Sequence, residues 1–466
     1  MSQTIEKTGW RYAGALSALS ADERASVLRR TNTTSSLVRE RTEEIVRRVR
    51  LDGDSALREM ARTYDGVSLE ALEIPSAVRQ RALAQIDPRL RSALERAARN
   101  IETFHSAAPP RTIEIETEPG VTVGRRPDPL QRVGIYSPGG RAAYASSVLM
   151  AAIPARVAGV SEIILCSPPQ RDGYPAAVVL AACEIAGVDR VFALGGAGAI
   201  AAMAYGTESV PRVDRIVGPG NANVAEAKLQ VSRDVGIDSP AGPSELLVIC
   251  DANCDPGTIA REVIAQAEHD VNACVVVVCL DDETAFSIGN AIEQSLPDAP
   301  RADVIREALE QKGALLRADS IAEAVDFAND FAPEHLLLAL DDRSTVSGQR
   351  ETGNWQRATG NGQRTTGDGC AERVLSDIRN AGCVFVGEQS SVVFGDYITG
   401  GNHVLPTGGL ARSYSGLGIL DFVRWTSYQK VTREAAQRLA ADTSLLATAE
   451  GLPAHAAAAL GWSAPC

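Results

Sequence analysis

Apolar and charged positions recur at helical spacing over residues 36–63 and 74–105, so the chain opens with an α-helical region. Around 112–137 the rhythm shortens. TIEIET and VTVG alternate apolar with polar residues across a Pro-Gly step, which predicts a β-hairpin. Beyond it, short apolar runs alternate with longer helical ones. Strands are expected at 132–136, 162–166, 190–194 and 215–217, followed by helices at 147–157, 176–186, 199–205 and 224–231. After a break at 239–243 the rhythm restarts. Strands at 245–250, 273–280, 314–316 and 336–339 alternate with helices at 257–268, 282–295, 302–312 and 320–330.

This alternation predicts an α/β fold with two doubly wound (Rossmann-like) parallel-sheet domains. Crossovers would be right-handed, with ligands beyond the C-terminal strand ends. The expected organisation has four parts. Residues 1–125 form an N-terminal helical region packing on the second unit, and 126–237 form the first Rossmann-like domain, on the cofactor side. Residues 238–405 form the second such domain, with the zinc and acid–base candidates, and 406–466 form a C-terminal tail, helical over 432–466.

One stretch, 343–369, breaks the pattern. It contains three tandem heptads, QRETGNW, QRATGNG and QRTTGDG, over 349–369. A coiled coil needs apolar a and d positions, and these repeats offer only Trp355. Gly, Gln, Arg and Thr cannot bury a core, so the segment reads as a flexible surface insertion without catalytic duty.

At 466 residues the chain exceeds what one core usually supports, consistent with more than one unit. A net charge of -13 opposes polyanionic partners, which argues against nucleic acid. The Arg-rich run at 39–50 is interleaved with Glu at helical spacing and reads as a solvated helix face. The N-terminus lacks the basic and apolar blocks of a secretory signal. The longest apolar run, 273–280, is far short of the roughly 20 residues that span a bilayer. Nine cysteines at irregular positions show no zinc-ribbon or redox spacing, which suits a reducing cytoplasm.

The chain has five histidines, and most lie in polar or Gly/Pro-flanked settings rather than core-like ones. Gln266 and His269 stand at i and i+3 near a helix end, a spacing that allows one ion to be shared; a plain helix cap has the same spacing. Glu334 and His335 follow Ala332-Pro333 at a helix-to-strand junction. There a carboxylate and an imidazole can both enter a cleft as general bases, or simply end the helix. Asp396 and His403 sit in a Gly-rich stretch that lets the backbone approach a ligand. Glu450 and His455 lie in the Ala-rich tail. Gly196-Ala-Gly198 has the superficial form of a dinucleotide fingerprint, though at a third strand rather than a first. The Gly-rich ends Tyr136–Gly140 and Gly218–Asn221 are stronger candidates for presenting N–H groups to a ligand.

Together these segments resemble the histidinol dehydrogenases, in order, from about residue 35 to 460. The resemblance is carried by VGIYSPGG, GTESVPRVDRIVGPGNANVAEAK, DSPAGPSELLV, QAEH, FAPEHL, GDYITGGNHVLPT, SYSGLGILDF and EGLPAH. It implies two successive NAD-dependent oxidations of L-histidinol, through the aldehyde, to L-histidine. It also implies one Zn2+ per subunit held by Gln266, His269, Asp396 and His455, the last donated across a homodimer interface. Glu334 and His335 match the acid–base pair. Substrate would meet Ser244, Gln266, His269, His335, Asp396, His403, Glu450 and His455. Tyr136 and Asn221 match cofactor-contacting positions. At the third, where the family has Gln, this chain has Gly198 and so lacks a hydrogen-bonding side chain. Two other readings stay open: a sister dehydrogenase of another small alcohol, such as a sulfonated diol, and a zinc hydrolase using the same donors.

Overall fold

The computed structural model describes residues 9–30, 36–139, 143–240, 242–340 and 370–463. The heptad repeats at 349–369, and Gly140 of the first Gly-rich strand end, lie outside the described residues. In chain order the first strands are β1 (Tyr12–Ala15), β2 (Ile113–Glu118), β3 (Val121–Pro129), β4 (Arg132–Tyr136), β5 (Glu162–Ser167), β6 (Arg190–Ala193), β7 (Arg215–Val217) and β8 (Gly236–Ile237). They are followed by β9 (Glu245–Cys250), β10 (Cys274–Cys279), β11 (Ala314–Arg317), β12 (His335–Ala339), β13 (Cys383–Val386) and β14 (Val423–Val431).

The result is an α/β protein with two parallel sheets covered by helices. The first sheet has the order β6-β5-β4-β7-β8 and the second β1-β11-β10-β9-β12-β13. All pairings within both are parallel. Parallel strands covered on both faces bury nearly every side chain, which explains the continuous apolar runs in the sequence. Val275, Val276, Val277 and Val278 of β10 have no exposed surface.

The hairpin expected at 112–137 forms as β2 and β3, but β14 from the tail pairs with it to make a three-stranded antiparallel sheet. That strand went unread because its residues, Val423–Val431, are mostly polar and half-exposed. The helices Arg433–Ala449 and Pro453–Leu460 then close the tail.

The N-terminal region departs from expectation. Its helices Ser36–Met60, Ser76–Gln85 and Pro88–Ser106 pack on helices of the first sheet, not the second. Their apolar stripes, including Val49, Leu57, Leu94 and Ile101, join that sheet's core. The preceding segment joins the second sheet: β1 adds an edge strand beside β11, and helix Ala21–Leu28 meets helix Ile321–Phe331. On Ser36–Met60 the charged face carries the pairs Arg47–Glu44 and Arg48–Glu59, in keeping with a solvated surface. Among the described residues no helix is long and apolar enough to cross a membrane, and the eight described cysteines are free thiols.

The way the sheets join decides where a ligand can sit. Strand β8 ends the first sheet at Ile237 and β9 opens the second at Glu245. A connector that short brings the C-terminal ends of the first sheet's strands against the N-terminal ends of the second's. The expectation of C-terminal strand ends therefore holds for the first sheet only.

Candidate active site

Between those two sets of strand ends lies a cleft of about 1640 Å³. From the first sheet come Tyr136 at the end of β4, Gly198 after β6, and Asn221 after β7. From the second come Ser244 before β9, Gln266 and His269 at the end of helix Pro256–Ala267, and Glu334 and His335 at the start of β12. Asp396, from the short helix Val392–Tyr397, and His403 complete the wall. Twelve positions singled out from the sequence are spread over the chain; all but Glu450 and His455 converge here. Those two are exposed on the tail helices and line no part of the cleft.

Glu334 and His335 are both buried, at 6% and 4% exposure. His335 Nδ1 lies 3.1 Å from the carbonyl of Glu245 and 3.5 Å from Glu334 Oε2. A carbonyl only accepts, so Nδ1 carries a proton here, and Nε2 is the nitrogen left for other contacts. Nε2 is buried without a hydrogen-bond partner and lies 3.4 Å from Asp396 Oδ1, within ion-pair reach. Burial alone would lower the His335 pKa, but Glu334 and Asp396 outweigh it and raise it well above the ordinary imidazole value. Burial raises the Glu334 carboxyl despite the opposing pull of His335. For Asp396, burial pushes upward, yet the His335 contact and the neighbouring imidazoles leave it lowered.

The backbone entering this pair is strained. Helix Ile321–Phe331 ends in Ala332 with φ 52 and ψ 64, the one non-glycine residue at positive φ among the described residues. Strain of that kind persists only where the surroundings over-determine it. Here Arg30 donates to the carbonyls of Phe331 (2.6 Å) and Ala332 (3.4 Å). Its guanidinium also forks onto both oxygens of Glu245, at 2.8 and 3.1 Å. Neither residue was anticipated. Glu245 did leave a sign, as a lone carboxylate opening the wholly buried strand ELLVIC; Arg30 left none.

The three candidate zinc ligands within one chain supply an amide oxygen, an imidazole and a carboxylate. Gln266 is buried at 4% exposure, whereas His269 is accessible from the cleft. Desolvation by surrounding protein lowers the His269 pKa despite the pull of Asp396, favouring the neutral, ligating form. The donor types suit zinc and stand one short of a tetrahedral set. His403 is differently placed. Its Nε2 is 2.9 Å from Ser147 Oγ and its Nδ1 is 2.8 Å from the Asp396 carbonyl, so both ring nitrogens are engaged in holding the Asp396 segment. Burial lowers its pKa.

On the other wall, Tyr136 is buried and its hydroxyl accepts the Gly196 N–H at 3.1 Å, anchoring the start of helix Gly196–Tyr205. Burial raises the phenol to about 12, so it stays protonated. Asn221 caps helix Ala222–Val231, its Oδ1 accepting from Asn223 and Val224 at 3.0 and 3.2 Å. At Gly198 a Cβ would come 3.2 Å from Met60 Sδ and 3.5 Å from Leu57 Cδ2. The methionine thus occupies the approach a longer side chain would need.

A buried carboxylate–imidazole pair facing Gly-rich strand ends across a deep cleft is the arrangement of an α/β enzyme. Comparison with known proteins narrows the class. The profile of the family described as histidinol dehydrogenase matches residues 28–354 and 369–460. Histidinol dehydrogenase from Methanosarcina mazei is 44% identical over 409 residues, covering 88% of each chain. The one from Burkholderia lata is 42% identical over 476 residues, covering 98% of this chain and 99% of its own. The crystal structure of histidinol dehydrogenase from Elizabethkingia anophelis superposes with a TM-score of 0.86 at 32% identity, over 97% of this chain and 98% of that one. The chain is an oxidoreductase. It belongs to the histidinol dehydrogenase family.

Proposed function

We propose that the protein is a zinc-containing, NAD-dependent L-histidinol dehydrogenase that oxidises its substrate through L-histidinal to L-histidine, ending histidine biosynthesis. The observation that carries this is the convergence of Glu334, His335, Gln266, His269 and Asp396 on the cleft that Tyr136 and Asn221 line from the other side. We read the two sheets as two doubly wound units, the first receiving the dinucleotide. Zinc would be held by Gln266, His269, Asp396 and the partner subunit's His455 in a homodimer. Exposed apolar residues beside the tail histidine, including Leu445, Leu446, Leu460 and Trp462, support that assembly.

When bound, the dinucleotide supplies the hydride acceptor and zinc orients the substrate as a template. The chain's own residues then manage protons. His335, its Nδ1–H held from behind by the Glu245 carbonyl, takes the hydroxyl proton at Nε2 from its neutral form, which the raised pKa reserves for the alkaline side. Glu334, fixed by the Glu245 N–H at 2.8 Å, activates the water added to the aldehyde. Ser244 and the partner subunit's Glu450 would contact substrate. His403 would act mainly through Asp396, since neither of its ring nitrogens is free.

The test is NADH formed per L-histidinol, with and without chelation. Two per substrate, lost on removing zinc, is expected; one, or none, rejects the reading. Glu334→Gln should retain the first oxidation better than the second, so that aldehyde accumulates in a carbonyl-trapping assay. Equal loss of both steps would remove Glu334 from the water-activating role.

A further inference from the structure

We propose that Arg30 is a positioning residue for the Glu334–His335 pair, acting through Glu245 and the left-handed turn at Ala332. The inference rests on the reading of that pair as the acid–base couple.

The geometry is a clamp with two jaws. One is covalently continuous with the pair: Arg30 Nη2 donates to the carbonyls of Phe331 and Ala332, and Pro333, Glu334 and His335 follow directly. The other is Glu245, whose carboxylate receives the guanidinium fork. Both main-chain polar groups of Glu245 then touch the pair, its N–H donating to Glu334 Oε2 at 2.8 Å and its C=O facing His335 Nδ1 at 3.1 Å. Glu245 Oε1 also accepts the Gly408 N–H, which fixes the carboxylate from a third side. Stacking reinforces the fork, with the guanidinium carbon 3.4 Å from the centre of the Phe331 ring.

Arg30 borders the cleft, but its donors placed among the described residues turn into the protein. Nε and Nη2 serve Glu245 and the turn, and Nη1 donates to Leu28 at 3.3 Å. At 8% exposure its charge is spent within the protein. Its effect must therefore pass through the residues it holds. A planar fork is required, because a lysine ammonium cannot bond both carboxylate oxygens and the turn carbonyls together.

Arg30→Lys and Arg30→Ala in the full chain test this. In folded Arg30→Lys, kcat should fall on the order of 10²-fold, the effect of misplacing a reacting group by about 1 Å. KM for histidinol and for NAD should change by less than roughly threefold, since the lost interactions do not touch either. Millimolar guanidinium should restore part of the kcat of Arg30→Ala, while ammonium at the same concentration should not. A folded Arg30→Lys with parental kcat overturns the proposal, as does a folded Arg30→Ala that guanidinium fails to rescue. Should Arg30→Ala not fold, the Arg30→Lys kinetics decide alone. Glu334→Gln is run beside them. If it keeps both oxidations, the acid–base reading fails; if it is impaired while Arg30→Lys is not, this inference alone fails.

Discussion

At the scale of single residues, Gly198 shows how a departure from a family pattern can be absorbed by its neighbours. Its missing side chain is matched by Met60, whose sulfur sits where the first carbon of a longer residue would press. Restoring glutamine by Gly198→Gln should therefore not simply add a cofactor contact. Overpacking of this kind costs about 1–3 kcal/mol, and a flexible thioether yields more readily than most side chains, so the lower end is expected. Thermal melting should show Gly198→Gln destabilised, and Met60→Ala in the same chain should recover part of the loss. Additive destabilisation by the two substitutions would show that Met60 is not what excludes the side chain.

Among elements, helix Pro88–Ser106 carries a buried imidazole in its last turn. His105 is 5% exposed and its Nε2 has no hydrogen-bond partner. A helix C-terminus favours a cation, but burial wins and lowers the pKa. The unfolded chain then binds a proton more readily than the folded one. This contribution is fully present above the unfolded histidine value near 6.5 and is lost as pH falls below it toward the lowered folded value. Urea melts from pH 7 downward should show a shallower acid loss for His105→Gln than for the parent. Identical slopes would mean that the imidazole takes up its proton alike in the folded and unfolded states.

Elements also show where the sequence was legible. Periodicity located the strands of both sheets from β4 to β12, apart from the two-residue β8, because burial on both faces forces uninterrupted apolar runs such as CVVVVC. It missed β1, β13 and β14, whose burial is only partial, so neither rhythm stands out. The site was legible as isolated polar signatures, Gln266-Ala-Glu-His269 and Pro333-Glu334-His335. Their convergence was not, since it depends on how β8 feeds β9. Arg30 and Glu245 were illegible as a pair for the same reason: a contact across 215 positions leaves no local trace.

Across the whole molecule, the proposed centre would draw on the tail of a second copy, since Glu450 and His455 line no part of the cleft of their own chain. Leu445 and Leu446 are 70% and 67% exposed on the helix leading to Glu450, an apolar surface unusual in a monomer. Replacing both with Glu should yield monomers in sedimentation velocity, with bound zinc falling below one per chain and histidinol oxidation lost. Monomers that keep their zinc and turnover would show that no second copy is needed.

Strand β12 carries a practical consequence. His335 opens it at the cleft, and the chain leaves its other end at Leu340 to return at Cys370. Four residue steps of extended strand separate the two ends by roughly 13 Å. A peptide tag or reporter spliced between those points would enter and leave the described fold about a strand's length from His335. That attachment point makes it a first choice for immobilising the enzyme.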